Sequence, residues 1–67
     1  MTSLNLTPNL ERPDDFYASL LAVHEGLSDA ETQALNARLI LILANHIGSQ
    51  NILTEALAAA KRASGGA

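Results

Sequence analysis

Ser28-Asp29-Ala30-Glu31-Thr32-Gln33-Ala34-Leu35-Asn36-Ala37-Arg38-Leu39-Ile40-Leu41-Ile42-Leu43-Ala44-Asn45-His46-Ile47-Gly48 is the stretch on which the fold turns. It opens on a capping box: a serine and, three residues later, a glutamate, each able to satisfy a free backbone N–H of the first helical turn. It then runs without glycine or proline to Ile47, and Gly48 supplies a residue that tolerates positive φ where a helix must stop. At ~1.5 Å per residue such a helix is roughly 30 Å long, the spine of any domain this small.

Placed on a wheel at ~100° per residue, the helix shows two apolar sides. Leu35, Leu39, Ile40, Ile42, Leu43 and Ile47 cover one broad face, which flanking helices are expected to bury. Ala30, Ala34, Ala37, Leu41 and Ala44 lie on another side, bordered by Arg38 and Asn45. An exposed helix face is ordinarily rich in Glu, Lys and Gln, whereas this one is alanine with a single leucine. Another helix can approach it closely, so the strip reads as an interface with a second copy or with a partner protein. The alternative cover is the N-terminal segment, folded back.

Working outward, Ser49 is a second N-cap, and Ile52, Leu53, Ala56, Leu57 and Ala60 fall on one face of a following helix. Lys61 and Arg62 suit the negative end of its dipole. Upstream, Phe16, Leu20, Val23 and Leu27 keep the i, i+4, i+7, i+11 spacing of a helix from about Asp14 to Glu25, with Gly26 behind it. Residues 1–13 read as an extended arm, because Asn5, Pro8, Asn9 and Pro13 discourage a helix while Leu4, Leu6 and Leu10 give apolar anchor points. The expected fold is all-α: arm 1–13, a three-helix domain over 14–63 with a long central helix, and a flexible tail 64–67.

The whole chain is 67 residues, so one small domain is the ceiling. Leu, Ile, Val and Phe make up 18 of 67, about 27%, above the ~20% that marks disorder. With no cysteine there is no disulfide and no thiolate metal site to staple so small a core. Another protein surface is the remaining source of burial. Seven acids oppose four bases, and Asp14 to Glu31 holds five acids and no Lys or Arg. That balance argues against a nucleic acid partner, since phosphate affinity comes mainly from Lys and Arg. A helix-turn-helix reading of the last two helices meets the same objection, because no base precedes Lys61 on the would-be recognition helix. The longest strictly apolar run, Leu39 to Ala44, is far short of the ~20 residues that span a bilayer. No basic and apolar leader opens the chain, so a cytoplasmic location without membrane contact is expected.

Chemical signatures are missing too. The sequence has no Gly-x-Ser-x-Gly elbow, no phosphate-binding glycine loop and no cysteine nucleophile. His24 and His46 are 22 residues apart on different helices, which is no metal spacing. Both histidines, and Asn36, sit among leucines and isoleucines, where a polar group needs a hydrogen-bond partner. They read as groups that fix a helix contact or a partner's register. No catalytic, cofactor-binding or metal-ligating residue is expected.

Phe16-Tyr17, Leu20-Leu21, His24, Gly26-Leu27, Leu35-Asn36-Ala37-Arg38-Leu39-Ile40-Leu41 and Leu43-Ala44-Asn45-His46-Ile47-Gly48 together resemble a family of very short bacterial proteins classed as a domain of unknown function. The likeness covers roughly residues 9–62, and its most specific part is the Asn-Ala-Arg-Leu and Ala-Asn-His-Ile-Gly pair. Family members often carry an acid where this chain has Ser49, and either residue can cap a helix. The resemblance implies no activity of its own. It implies neighbouring genes for flavin-dependent aromatic hydroxylases, and with them the role of a small accessory subunit of a flavoprotein monooxygenase.

The expected function is thus a non-catalytic interaction protein, a small subunit of a larger enzyme. The alternative is a self-associating regulatory protein acting as a homodimer. The residues expected to meet the partner are Arg38, Leu41, Asn45, Ala34, Ala37 and Ala44 on the strip, Asn36 and His46 beside it, and Leu4, Leu6 and Leu10 on the arm.

Overall fold

A computed structural model describes residues 3–65. Its order is α1 (Pro13–His24), α2 (Asp29–Ile47) and α3 (Gln50–Ala63), and the described residues contain no strand. The fold is all-α, with α2 the longest element. Residues 3–12 are neither helix nor strand; the outer ends of the expected arm and tail lie outside the described residues.

The helix ends follow from local chemistry. Ser28 Oγ accepts from the Glu31 amide at 3.2 Å, and the Glu31 carboxylate accepts from the Ser28 amide at 2.9 Å, closing the capping box. Gly48 sits at φ 77° and donates its N–H to Ala44 O at 2.9 Å. Its neighbour Ser49 at once caps α3, accepting from the Ile52 amide at 3.2 Å. Two residues therefore turn α2 into α3. Lys61 and Arg62 occupy the last turn of α3, where cations favour the dipole.

Pro13 begins α1 instead of ending the arm. It stands in the first turn, where its missing N–H is no loss and its fixed φ suits the helix. At the other end, α1 stops at His24 and the chain passes through Gly26 at φ 77°.

The broad face of α2 departs from expectation. Leu35 and Leu39 are half-buried, but Ile40, Ile42, Leu43 and Ile47 are 62%, 64%, 47% and 48% exposed. None of the described residues is fully buried. α1 is tied to α2 by the His24–Asn36 bond and α3 turns off the C-terminal end of α2, and together they leave these side chains uncovered. The radius of gyration is 13.7 Å, against about 11 Å for a compact domain of this length.

Candidate interaction surface

Three features are built around α2 and its neighbours. The first is the α1–α2 junction. His24, in the last turn of α1, directs Nδ1 at Leu20 O (2.7 Å) and Nε2 at Asn36 Oδ1 (2.8 Å). A carbonyl oxygen only accepts, so Nδ1 carries a proton. In the imidazolium both nitrogens donate, which matches both acceptors. The bond to Leu20, then the bond to Asn36, raise the His24 pKa above its ordinary 6.5, and slight desolvation opposes them. This bond makes Asn36 part of a contact between α1 and α2.

The second feature is an open apolar groove of about 520 Å³ beneath that junction. Val23 and Leu27 form one wall; Ala34, Leu35, Leu39 and Ile42 form the other, with Glu31 and Arg38 at the rim. Glu31 is held by its cap role, and the Ser28 amide, then the Ser28 hydroxyl, lower its pKa. Arg38 is the remaining charged group beside the groove. It is exposed and makes no ion pair among the described residues.

The third is the strip. Leu41 is 70% exposed, and Ala37 and Asn45 are exposed with it. Ala44 is half-buried near the turn into α3, and Ala34 is half-buried in the groove wall. The strip's residues thus divide between the groove and the open side. His46 is exposed, with no side-chain hydrogen bond among the described residues. It was expected among packed leucines, but the chain supplies no neighbour to surround it.

The arm goes elsewhere. The Leu4 amide donates to Glu55 Oε2 at 2.8 Å, and Leu4 and Leu6 line a hollow on α3 with Ala58 and Arg62. Leu10 lies beside Phe16 at the start of α1. The arm therefore does not cover the alanine strip. Sequence reasoning missed Val23 and Leu27 as groove residues, and it assigned Ile40, Leu43 and Ile47 to an internal core. The signal was available: Leu39-Ile40-Leu41-Ile42-Leu43 is apolar on every side of its helix, and no short neighbour can surround it.

Among the described residues no group of three His, Asp or Glu side chains could hold a metal ion, and no helix is long and apolar enough to cross a membrane. What remains is a small helical domain whose α2 and α3 are capped by Ser28 and Ser49 and whose central helix has an open apolar middle. The family model described as "Protein of unknown function (DUF2783)" matches residues 4–62, and the chain belongs to that family. Neither a curated protein nor a solved structure matches it.

Proposed function

We propose that this chain is a non-catalytic subunit whose fold is completed on the surface of a larger enzyme. One observation carries the reading: 18 of 67 residues are Leu, Ile, Val or Phe, yet no described residue is fully buried. Helices of 12, 19 and 14 residues draw most of their stability from packing an apolar face, and the two shorter ones would be marginal alone in water. A chain that packs so little of itself needs another surface. The strip of Ala37, Leu41 and Asn45, with Arg38 at its edge, is the docking side: alanine lets a helix approach closely, and Arg38 is free to pair with a carboxylate.

We take the enzyme to be a flavin-dependent aromatic hydroxylase, the partner that the resemblance drawn from the sequence implies; the family match itself names none. The chain holds no flavin of its own in this reading; it packs against the flavoprotein. The test is affinity purification of the tagged chain from a host that expresses both, followed by mass and absorbance of the eluate. The expected result is one larger protein in fixed ratio, carrying flavin absorbance. Recovery of the chain by itself, under conditions where the hydroxylase is abundant, would count against it.

A further inference from the structure

The chain exposes 5931 Å², whereas a folded monomer of its mass exposes about 4,000 Å². The difference, about 1,900 Å² per chain, measures the missing burial. Two chains that each lost this area would bury about 3,800 Å², within the range of obligate homodimers and beyond that of transient contacts. Leu6 and Leu10 belong to the arm, but most of the open large apolar side chains stand on the helices.

One stripe of α2 fits a copy of itself. Asn36, Ile40, Leu43 and Ile47 follow one another at steps of four, three and four, the spacing of a helix–helix seam. All four are exposed. The spacing reads the same in both directions, with its midpoint between Leu41 and Ile42. A twofold axis there sets Ile40 opposite Leu43 of the second copy, and Asn36 opposite its Ile47. No charged residue lies on the stripe, so the net charge of −3 does not bring like charges face to face. Arg38 lies on the opposite side of the helix and stays free.

We infer that α2 pairs antiparallel with α2 of a second copy along this stripe, and that the chain gains its core by doing so. The same axis carries the Ile47 end of the second copy, with α3 behind it, past the end of the stripe that His24 ties to α1. Tyr17 and Leu21, seven and three residues before His24 on one face of α1, are both more than half exposed there. Leu57 on α3 is 68% exposed and adds apolar area that pairing can cover. A symmetric pair closes the deficit of both copies at once. The inference concerns a different side of α2 from the enzyme-docking strip and goes beyond that reading.

The purified full chain, alone, is measured for mass by sedimentation and for helicity by circular dichroism across one dilution series. The expected result is twice 7.0 kDa at high concentration, with helicity falling as the pair dissociates. Leu43→Glu should weaken self-pairing by more than about a hundredfold, as loss of a central buried anchor does. Leu41→Glu, across the helix, should change it by less than about threefold. The chain has no cysteine of its own, so Ile40→Cys and Leu43→Cys chains can be mixed and oxidised. Antiparallel pairing gives the mixed disulfide in excess over either like-with-like product. A helical particle of 7.0 kDa at every concentration would overturn the inference, as would an excess of like-with-like disulfides. A chain that is non-helical until the enzyme is added would overturn it too. A stable pair that binds no hydroxylase removes the proposed function and leaves this inference intact.

Discussion

At Ser28 two reciprocal hydrogen bonds close the start of α2, and at Gly48 a left-handed residue returns an N–H to Ala44. Between them, Ile40 to Leu43 stand open on all four sides of the same helix. The ends are made by residues three or four apart in sequence and need nothing from the rest of the fold. The middle needs area, which α1 and α3 do not lay along it. A helix can therefore have both ends defined by its own sequence while the rest of its chain leaves its middle uncovered.

The sharpest way to break this contrast is to place a charge on the open middle and read both halves of the molecule separately. Leu41→Glu should leave the helicity of the chain alone within about 0.5 kcal/mol of wild type, because it alters an exposed position. Binding to the proposed enzyme partner should fall by several kcal/mol, since the carboxylate would be desolvated beside Ala37 and Ala44. Arg38→Ala should act in the same direction more weakly, through its lost stem contact and lost charge. Calorimetric titration with and without the substitutions checks both. Equal enzyme affinity for Leu41→Glu and wild type would move the docking side to the arm, at Leu4, Leu6 and Leu10.

The same contrast explains what could be read in advance. The three helices, both serine caps and the Gly48 stop were legible, because each is settled within one turn by residue types with fixed backbone preferences. Pro13 was misplaced by one residue: proline bars the helix interior but not its first turn. The cover of the broad face was not legible. A wheel says that Ile40, Ile42 and Leu43 want burial, yet it cannot say whether a neighbour in the same chain is angled to supply it. Asn36 was recognisable as a polar group needing a partner, but not as the partner of His24, which depends on how α1 meets α2.

Next in size are the finished ends. Gly48→Ala forces a Cβ into a positive-φ position, which costs about 1–2 kcal/mol. Space is not the obstacle, because the nearest atom to the new Cβ would be Asn45 O at 3.9 Å. Ser28→Ala removes the acceptor for the Glu31 amide and should cost about 1 kcal/mol. Thermal melts of the two variants, compared at one protein concentration, check both values. Because the caps act locally, the two losses should add when combined.

The His24–Asn36 link gives a smaller effect with a definite sign. Its bonds to Leu20 O and then to Asn36 raise the His24 pKa above 6.5 on folding, so the folded chain binds this proton more tightly than the unfolded one. The contribution is complete below pH 6.5 and disappears as the pH rises through the higher folded value. Asn36→Ala should reduce this dependence without abolishing it, because the bond to the Leu20 carbonyl is the larger cause. Titration of the His24 ring protons in both proteins measures the change. A histidine that titrates identically with and without Asn36 would show that the two helices are not joined there.

The smallest effect is expected at the arm, and it tells whether that segment belongs with the finished parts or the open ones. Its described backbone has two kinds of anchor. The Thr7 amide is held at 2.9 Å by Asn5 Oδ1, a contact within the arm, whereas the Leu4 amide reaches Glu55 on α3, 51 positions away. Glu55→Ala removes only the second. Glu55 is exposed and Leu4 only half-buried, so global stability should change by less than about 0.5 kcal/mol. Amide exchange at Leu4 should accelerate toward the rate of an unstructured peptide while Thr7 keeps its protection, because its acceptor is two residues away and moves with it. Simultaneous loss at Leu4 and Thr7 would mean that the local turn depends on docking to α3. The arm would then be a folded extension of the helical domain instead of a segment tethered to it at one point.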